Sequence, residues 1–288
     1  MSRPCQFAPS ARRLAALAIA CALAGLPALA QTPRALARAD GASTPVLDYT
    51  PASTALCPDT MIISHGFGGD ETALAGLAKA MTERGWRVIS IGHRESRRAH
   101  LRSAILSGGG LAAIDAAARE KPKHAARFLD LDAAYADASR GCRPKTLILA
   151  GHSMGAQTTM MEAGSAPLIG RMGGNRFDAY IALSPQGIGT TYAAGAWAGV
   201  SKPVLMVTGT NDRVAGGDYT QRLSAFEGLP PGRKRLAVIP GAGHLQVGQI
   251  GSESVSRIVN RLVEEFAGQV AAGVWAPSSV QGAAITEK

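Results

Sequence analysis

Short apolar runs alternate with longer amphipathic or alanine-rich segments along most of the chain. Continuous apolar runs of this length are typical of strands buried on both faces, and the segments between them have the spacing of helices. The alternation predicts an α/β fold: a doubly wound, mainly parallel sheet with helices on both faces. The predicted strands are Thr60–Ser64, Arg87–Ile91, Lys145–Ala150, Ala179–Leu183, Pro203–Thr208 and Arg235–Ile239.

Capping residues indicate where two of the helices begin and end. Asp70 is a good N-cap for a helix over Glu71–Arg84, which Gly85 would close. Ser252 would likewise begin a helix over Glu253–Phe266. We expect both helices to cover the sheet.

The two ends of the chain depart from the strand–helix alternation. Residues 31–57 form an N-terminal lead-in with room for one weak strand around Val46–Tyr49. Residues 58–267 carry the alternation, and residues 268–288 are predicted to form a loose C-terminal tail. No repeat or low-complexity linker divides the chain, so we expect one large domain after the lead-in.

The longest connection between two predicted strands covers residues 95–140. Its alanine and leucine content predicts helices rather than a bare loop, and Ser107-Gly108-Gly109-Gly110 would permit a hinge. The segment is either a cap over a cleft or an ordinary sheet-covering helix with an insertion. The sequence does not choose between the two.

The first 30 residues have the pattern of a secretory signal peptide. Three arginines precede the apolar stretch Leu14–Leu26, and Ala28-Leu29-Ala30 offers small residues to a signal peptidase. Cleavage near Gln31 predicts a periplasmic or secreted protein. Cys21 leaves lipid anchoring as a minor alternative. The apolar stretch is too short and too rich in alanine for a stable membrane span.

The chain is basic, with 30 lysines and arginines, 21 acidic residues and a net charge of +9. Loss of the three signal arginines would leave +6. The basic residues are dispersed and only 5% of residues are aromatic, so nucleic acid is not expected as a partner. The charge favours anionic envelope components or simply maintains solubility. Nothing in the sequence indicates the oligomeric state.

Two of the four cysteines lie in the predicted signal, which leaves Cys57 and Cys142 in the exported chain. A single pair in an exported protein is a disulfide candidate. Ser64 and Ala150 each end a predicted strand. Cys57 lies seven residues before Ser64, and Cys142 lies eight residues before Ala150. Parallel neighbouring strands would therefore bring the two cysteines together at the other end of the sheet. The alternative is two free buried thiols.

A Gly-x-Ser-x-Gly motif, Gly151-His152-Ser153-Met154-Gly155, directly follows a predicted strand and precedes a segment that can form a helix. The glycines remove Cβ atoms that would collide in a tight strand-to-helix turn, so that the serine can project its hydroxyl above the sheet edge. The motif in this context predicts that Ser153 is a nucleophile, although so short a match can also be a simple turn.

A serine hydroxyl becomes a strong nucleophile only when an imidazole takes its proton and an acid orients the imidazole. His244 lies in a glycine-rich loop after the last predicted strand, and Asp212 lies just past the preceding strand. The carboxyl ends of parallel strands meet at one edge of a sheet, and the order Ser153, Asp212, His244 is the one expected there. These residues are the predicted catalytic triad, with Asp218 as the reserve acid.

Two backbone N–H groups are candidates for an oxyanion hole, which stabilises the negative charge that acyl transfer develops on a carbonyl oxygen. Met154 follows the serine, and Phe67 lies in the glycine-rich segment Ser64–Gly69. This segment lacks the lysine and the Ser/Thr of a phosphate-binding P-loop, so a nucleotide is not expected there. A simple strand-to-helix turn is the alternative.

Other residues that follow predicted strands have weaker assignments. His93 and Gln186 are predicted to line the substrate site, and His152 to support the turn beside the serine. No pair of histidines has metal-ligand spacing with a carboxylate. We therefore predict no metal and no cofactor.

Four features together make the chain resemble the α/β-hydrolase superfamily, and within it bacterial dienelactone-hydrolase-related, chlorophyllase and polyester-hydrolase-like esterases. The resemblance covers residues 58–267 and implies an α/β-hydrolase fold. The features that carry it are His65-Gly66-Phe67-Gly68-Gly69, Gly151-His152-Ser153-Met154-Gly155, Asp212 and His244.

The resemblance also implies a reaction. Ser153 would attack an ester carbonyl, His244 would shuttle protons, Asp212 would orient the imidazole, and water would release the acid from an acyl-enzyme. A dienelactone hydrolase proper is expected to have cysteine as nucleophile, whereas this chain has Ser153. Small-molecule or polymeric carboxylic esters are therefore the expected substrates. An acyltransferase or perhydrolase with the same residues, or a non-catalytic envelope binding protein, remains open.

Overall fold

The computed structural model describes residues 30–52, 55–213 and 218–288. The predicted signal peptide, including Cys21 as the alternative lipid attachment, lies outside the described residues except for Ala30 at its end. Within the described ranges, no helix combines the length and the apolar composition needed to cross a bilayer.

One sheet of nine strands forms the centre of the described structure, in the order β1-β2-β4-β3-β5-β6-β7-β8-β9. The six strands from β4 across to β8 are parallel, while β1, β2 and β9 run antiparallel to their neighbours at the two sides. The strands β1 to β9 are Ala30–Ala37, Ser43–Thr50, Thr60–Ser64, Arg87–Ile91, Leu147–His152, Ala179–Leu183, Val204–Asn211, Lys234–Gly243 and Ala284–Glu287.

Helices cover both faces of this sheet, as the alternation predicted. One apolar core lies between the sheet and α1, α7 and α8, and the other lies between the sheet and α4, α5 and α6. The helices α1 to α8 are Ala75–Glu83, Arg98–Leu106, Gly110–Ala118, Lys121–Ala138, Met154–Glu162, Thr220–Glu227, His244–Val247 and Glu253–Ala272. The predicted mainly parallel α/β architecture is confirmed.

Three predicted strands, β3, β4 and β6, have the predicted bounds, whereas β5, β7 and β8 extend further at their carboxyl ends. The helix predicted over Glu71–Arg84 begins only at Ala75. Asp70 caps a turn instead, because its Oδ1 accepts from the Thr72 N–H at 2.9 Å. Leu74 then adopts a left-handed conformation with φ 60°, which delays the helix.

The N-terminal lead-in contains two strands rather than the single weak one predicted around Val46–Tyr49. β2 includes that segment, and β1 pairs with it along its whole length. β1 was missed because it contains Pro33 and few β-branched residues, which is a poor strand pattern. Its Arg34 forms ion pairs with Asp48 and Asp137, so contacts with distant residues stabilise the strand.

The prediction of a loose tail over residues 268–288 is wrong at both ends of that segment. α8 continues to Ala272 and ends at Gly273, which has the left-handed φ of 71° that a C-terminal cap requires. The Arg235 guanidinium lies over the Trp275 ring at 4.6 Å from its centroid, and β9 pairs with β8. The backbone at the edge of β8 provides the hydrogen-bonding partners that order the tail. The local sequence of the tail does not predict this pairing.

Residues 95–140 form three helices, of which only α4 contributes substantially to the core. α2 buries Ala104 alone and α3 buries none of its residues. Leu101 of α2 lies against Gly68, so α2 lies beside the Ser64–Gly69 segment. The segment thus combines a sheet-covering helix with an outer helical pair, and its role as a cap stays a prediction.

The predicted disulfide between Cys57 and Cys142 is present, with 6.0 Å between the Cα atoms. It precedes β3 and β5, which are adjacent and parallel with Thr60 opposite Leu147. The bond therefore lies at the end of the sheet opposite Ser153. Closure of a loop across 85 residues is worth on the order of 4 kcal/mol in the chain-entropy model.

Candidate active site

Ser153 lies in the sharp turn between β5 and α5. Its backbone has φ 55° and ψ −117°, a strained conformation for a residue with a side chain. A Cβ atom on Gly151 would collide with the Gly155 carbonyl, and one on Gly155 would collide with the Ser64 carbonyl. The two motif glycines are therefore required by close backbone approach, and the turn leaves the serine half-buried at the sheet edge.

His244 lies between Ser153 and Asp212 and contacts both. Its Nε2 is 2.9 Å from Ser153 Oγ, and its Nδ1 is 2.8 Å from Asp212 Oδ1. The histidine begins α7 directly after β8, and the aspartate follows β7, so two adjacent strands deliver the pair. We call Ser153, His244 and Asp212 the rim triplet. With the proton on Nδ1 donated to Asp212, Nε2 can accept the serine proton.

Asp212 is fully buried yet surrounded by donors. Thr208 Oγ1 donates to Oδ2 at 2.9 Å, and Arg222 Nη2 lies 2.8 Å from Oδ1. Burial raises the pKa of the Asp212 carboxyl, but the hydrogen bond from His244 and the charge of Arg222 outweigh it and lower the pKa to about 2. The carboxylate is therefore ionised at neutral pH.

Arg222 is a buried member of the site that sequence analysis missed. Its Nη1 donates to the carbonyl oxygens of Ser184 and Pro185, each at 3.0 Å, and its Nη2 lies 3.0 Å from His244 Nδ1. A signal was present in α6: positions 222, 225 and 226 share one helical face, and the other two are buried apolar residues. A charged residue on such an apolar stripe indicates a buried ion pair.

His152 supports the His244 loop from beneath. Its Nε2 lies 3.0 Å from the His244 carbonyl oxygen, and the two rings are 4.8 Å apart. Burial, followed by the nearby His244 charge, lowers the pKa of His152 to about 3, so the ring is neutral and donates its Nε2–H to the carbonyl. This contact agrees with the supporting role predicted for His152.

The Ser64–Gly69 segment lies directly against the serine, since a Cβ atom on Gly66 would be 3.2 Å from Ser153 Cβ. The Gly68 N–H donates to the Ser96 carbonyl at 2.7 Å, whereas the Phe67 N–H has no hydrogen-bond acceptor among the described residues. Met154 is the first residue of α5, where the N–H has no acceptor within the helix. Both N–H groups predicted for an oxyanion hole are thus free to donate.

His93 does not line the site, contrary to prediction. Its side chain is fully buried, with Nε2 2.8 Å from Ser64 Oγ and Nδ1 2.8 Å from Asp130 Oδ2. It lies behind the Ser64–Gly69 segment because it follows β4, which is adjacent to β3.

Two further predicted residues lie away from the rim triplet's hydrogen bonds. Gln186 is half-buried after β6, and its lining role stays a prediction. The reserve acid Asp218 accepts from the Thr220 N–H at 2.9 Å, in the turn just before α6. Among the described residues, Asp212 and not Asp218 is the carboxylate paired with His244.

Comparisons with known proteins show which fold this arrangement belongs to. No family model and no curated protein matches the chain. Among solved structures, the chain is similar to the Pyrococcus furiosus esterase Pf2001, with 14% identity, a TM-score of 0.56 and coverage of 83% of this chain and 94% of the other.

Two further solved structures give the same result. The chain is similar to Est1E from Butyrivibrio proteoclasticus, with 16% identity, a TM-score of 0.56 and coverage of 82% and 99%. It is also similar to an alpha-beta serine hydrolase homologue from Coxiella burnetii, with 17% identity, a TM-score of 0.56 and coverage of 81% and 96%. At these identities the likeness concerns the fold: the chain has the α/β-hydrolase fold.

Proposed function

We propose that this protein is an exported serine hydrolase that cleaves carboxylic esters through an acyl-enzyme intermediate. One observation carries the proposal: His244 lies 2.9 Å from Ser153 Oγ and 2.8 Å from Asp212, at a strained and half-buried serine. A hydroxyl, an imidazole and a carboxylate in this chain of hydrogen bonds form the arrangement that activates a serine for acyl transfer.

The reaction follows from the positions of these groups. Ser153 Oγ attacks the ester carbonyl carbon while His244 Nε2 takes the hydroxyl proton, and the carbonyl oxygen becomes an oxyanion. The N–H groups of Phe67 and Met154 donate to that oxygen. The oxyanion then collapses, and His244 returns the proton to the departing alcohol. Water repeats the sequence on the acyl-enzyme, which releases the acid and restores Ser153.

Asp212 and Arg222 keep the His244 imidazole in the protonation state that the reaction needs. The ionised Asp212 carboxylate holds the proton on His244 Nδ1, which leaves the lone pair of Nε2 directed at the serine. Arg222 keeps the carboxylate charged in a fully buried position. Burial alone would favour the protonated acid, and the His244 hydrogen bond and the Arg222 charge together oppose that effect.

Esters are favoured as substrates because the structurally similar Pyrococcus furiosus protein is described as an esterase. The disulfide supports action outside the cytoplasm, since such bonds form and persist in oxidising compartments. An acyltransferase or perhydrolase would use the same residues with an alcohol or peroxide in place of water. No contact among the described residues favours either of those acceptors.

The proposal is tested with a series of p-nitrophenyl acyl esters and a fluorophosphonate probe on the exported chain. We expect turnover of at least one ester and labelling at Ser153. Ser153→Ala should lose labelling and lower kcat by about 10⁶-fold, the loss typical of a removed serine nucleophile. Ser103→Ala, an exposed serine on α2, is the matched control and should behave as wild type. Full activity in Ser153→Ala would overturn the mechanism.

A further inference from the structure

A second Ser–His–Asp arrangement lies beneath the proposed active site. Ser64 Oγ is 2.8 Å from His93 Nε2, and His93 Nδ1 is 2.8 Å from Asp130 Oδ2. All three side chains have no exposed surface. We call Ser64, His93 and Asp130 the buried triplet. The three residues come from the end of β3, the residues after β4, and α4.

The buried triplet is not a second nucleophilic centre. Ser64 Oγ also accepts a hydrogen bond from Arg127 Nη1 at 3.1 Å, so its oxygen is occupied on both sides. Complete burial leaves no approach for an acyl group. The residues instead form a buried chain of hydrogen bonds that can hold neighbouring groups in place.

Arg127 connects the buried triplet to both ends of the Ser64–Gly69 segment. Its fully buried guanidinium donates to the His65 carbonyl at 2.8 Å and to Ser96 Oγ at 2.8 Å. The Ser96 carbonyl in turn accepts from the Gly68 N–H at 2.7 Å. The two anchors flank Phe67, whose own N–H stays free.

Two contacts hold the peptide that contains this N–H: one from the His65 ring, and one from the Gly69 N–H, which donates to the Gly66 carbonyl at 3.1 Å. The His93 backbone N–H donates to His65 Nε2 at 3.1 Å, which places the His65 ring proton on Nδ1. Nδ1 lies 2.6 Å from the Gly66 carbonyl oxygen and donates to it. In a planar trans peptide the C=O and N–H point in opposite directions. A Gly66 carbonyl held toward His65 therefore directs the Phe67 N–H away from it.

The far side of the buried triplet is anchored in the N-terminal strand pair. Arg38 Nη1 donates to Asp130 Oδ1 at 3.1 Å, and the same guanidinium pairs with Asp40 and Glu95. The chain of contacts thus runs from the turn between β1 and β2, through α4, to the peptide beside Ser153. Each link is a buried or partly buried polar contact with a defined geometry.

We propose that Ser64, His93, Asp130 and Arg127 are positioning residues that hold the Gly66–Phe67 peptide with its N–H directed at the oxyanion formed above Ser153. The inference rests on the proposed function, because it assigns the source of the second oxyanion donor. It predicts that a substitution in the buried triplet weakens the stabilisation of the oxyanion and leaves substrate binding nearly unchanged.

The test compares Ser64→Ala with Ser90→Ala. Ser90 is a buried serine in the neighbouring strand whose hydroxyl has no partner among the described residues, so it controls for loss of a buried hydroxyl. We expect kcat of Ser64→Ala to fall about 10-fold with KM within about twofold, as a small misplacement of a catalytic group would produce. Ser90→Ala should keep both constants.

A thionoester with the same acid and alcohol as the test ester supplies a readout that substitution of a merely structural residue would not change. Sulfur accepts hydrogen bonds poorly, so an intact oxyanion hole favours the ordinary ester. We expect the ester-to-thionoester ratio of kcat/KM to fall severalfold in Ser64→Ala and in Arg127→Lys, and to stay at the wild-type value in Ser90→Ala. Lysine keeps the charge of Arg127 but loses the planar fork that bridges His65 and Ser96.

The outcomes separate this inference from the proposed function. A folded Ser64→Ala with unchanged kcat, or a lowered kcat with an unchanged ester-to-thionoester ratio, would overturn the positioning role while wild-type turnover still supports the hydrolase. A wild type that neither hydrolyses esters nor reacts with fluorophosphonate would overturn the proposed function itself. Thermal unfolding of each variant verifies that the folded protein is being assayed.

Discussion

The rim triplet and the buried triplet contain the same three kinds of side chain at nearly the same distances, yet their surroundings suit them to different tasks. Ser153 has a strained backbone and a half-buried hydroxyl, whereas Ser64 ends a regular strand and is fully buried. Under the proposed function, a Ser–His–Asp chain of hydrogen bonds does not by itself make a nucleophile. Solvent access and the strained turn distinguish Ser153 from Ser64.

The carboxylates of Asp212 and Asp130 differ in pKa because their surroundings differ. Burial raises the pKa of both, but around Asp212 the His244 hydrogen bond and the Arg222 charge lower the net pKa to about 2. Around Asp130 burial prevails over the contact with Arg38, and its pKa is raised to about 6. Asp212 is thus ionised at neutral pH, while Asp130 titrates in the weakly acidic range.

The largest expected difference between the triplets is in turnover. Asp212→Asn should lower kcat by about 10⁴-fold, because an amide no longer holds His244 with its proton on Nδ1. Asp130→Asn should lower kcat by no more than about 10-fold, since it acts only through the position of the Ser64–Gly69 segment. Steady-state hydrolysis of one p-nitrophenyl ester measures both. Equal losses would remove the distinction between the two triplets.

A smaller effect separates Arg222, the buried arginine beside the rim triplet, from surface arginines. Arg222→Gln should lower the free energy of unfolding by about 3–5 kcal/mol, because it breaks a buried pair and leaves Asp212 without its cation. Arg257, which pairs with Glu253 on the exposed face of α8, is the control, and Arg257→Gln should leave stability nearly unchanged. Urea unfolding measures both variants. If Arg222→Gln unfolds at the same urea concentration as the wild type, the Arg222–Asp212 pair does not stabilise the fold as expected.

The smallest effect is the pH dependence of stability that Asp130 confers. Its pKa of about 6 in the folded protein exceeds the ordinary value of 3.8, so its stabilising contribution is present below pH about 4 and is lost as the pH rises through 6. Asp212 behaves oppositely, because its lowered pKa stabilises the fold above pH about 4 and that contribution is lost as the pH falls toward 2.

Urea unfolding at pH 4.5 and pH 7 tests the sign. Between these pH values the wild type should lose roughly 2 kcal/mol of unfolding free energy relative to Asp130→Asn, which lacks the titrating carboxyl. Arg38, His93 and Arg127 are the charged and titratable groups that face Asp130, and they remain in the variant. A wild type and a variant with identical pH dependence would show that Asp130 does not titrate in this range.

Local sequence predicted the elements whose signals lie within a few residues. The apolar runs of β3, β4 and β6 were located to the residue, because a strand buried on both faces needs an uninterrupted apolar sequence. The Gly151–Gly155 motif located the strained turn, because only glycine tolerates the backbone approach there. Near-equal register of two strands likewise predicted the disulfide.

Residues far apart along the chain escaped the same reasoning. β1 and β9 have weak strand patterns, and each is ordered by the neighbouring strand that it pairs with. His93 follows a strand just as the residues of the rim triplet do, but its neighbours bury it completely. The sequence therefore did not reveal on which side of the Ser64–Gly69 segment this histidine would lie.

The sequence by itself determined the alternation of strands and helices, the strained serine turn and the order in which candidate catalytic groups follow the strands, since each depends on side-chain size and polarity over short distances. Only the tertiary structure decided that Arg222 would sit beside Asp212 and that Arg127 would connect Ser64, His65 and Ser96. The physical reason is that a buried charge is stabilised by partners from distant segments, and folding alone brings those partners together.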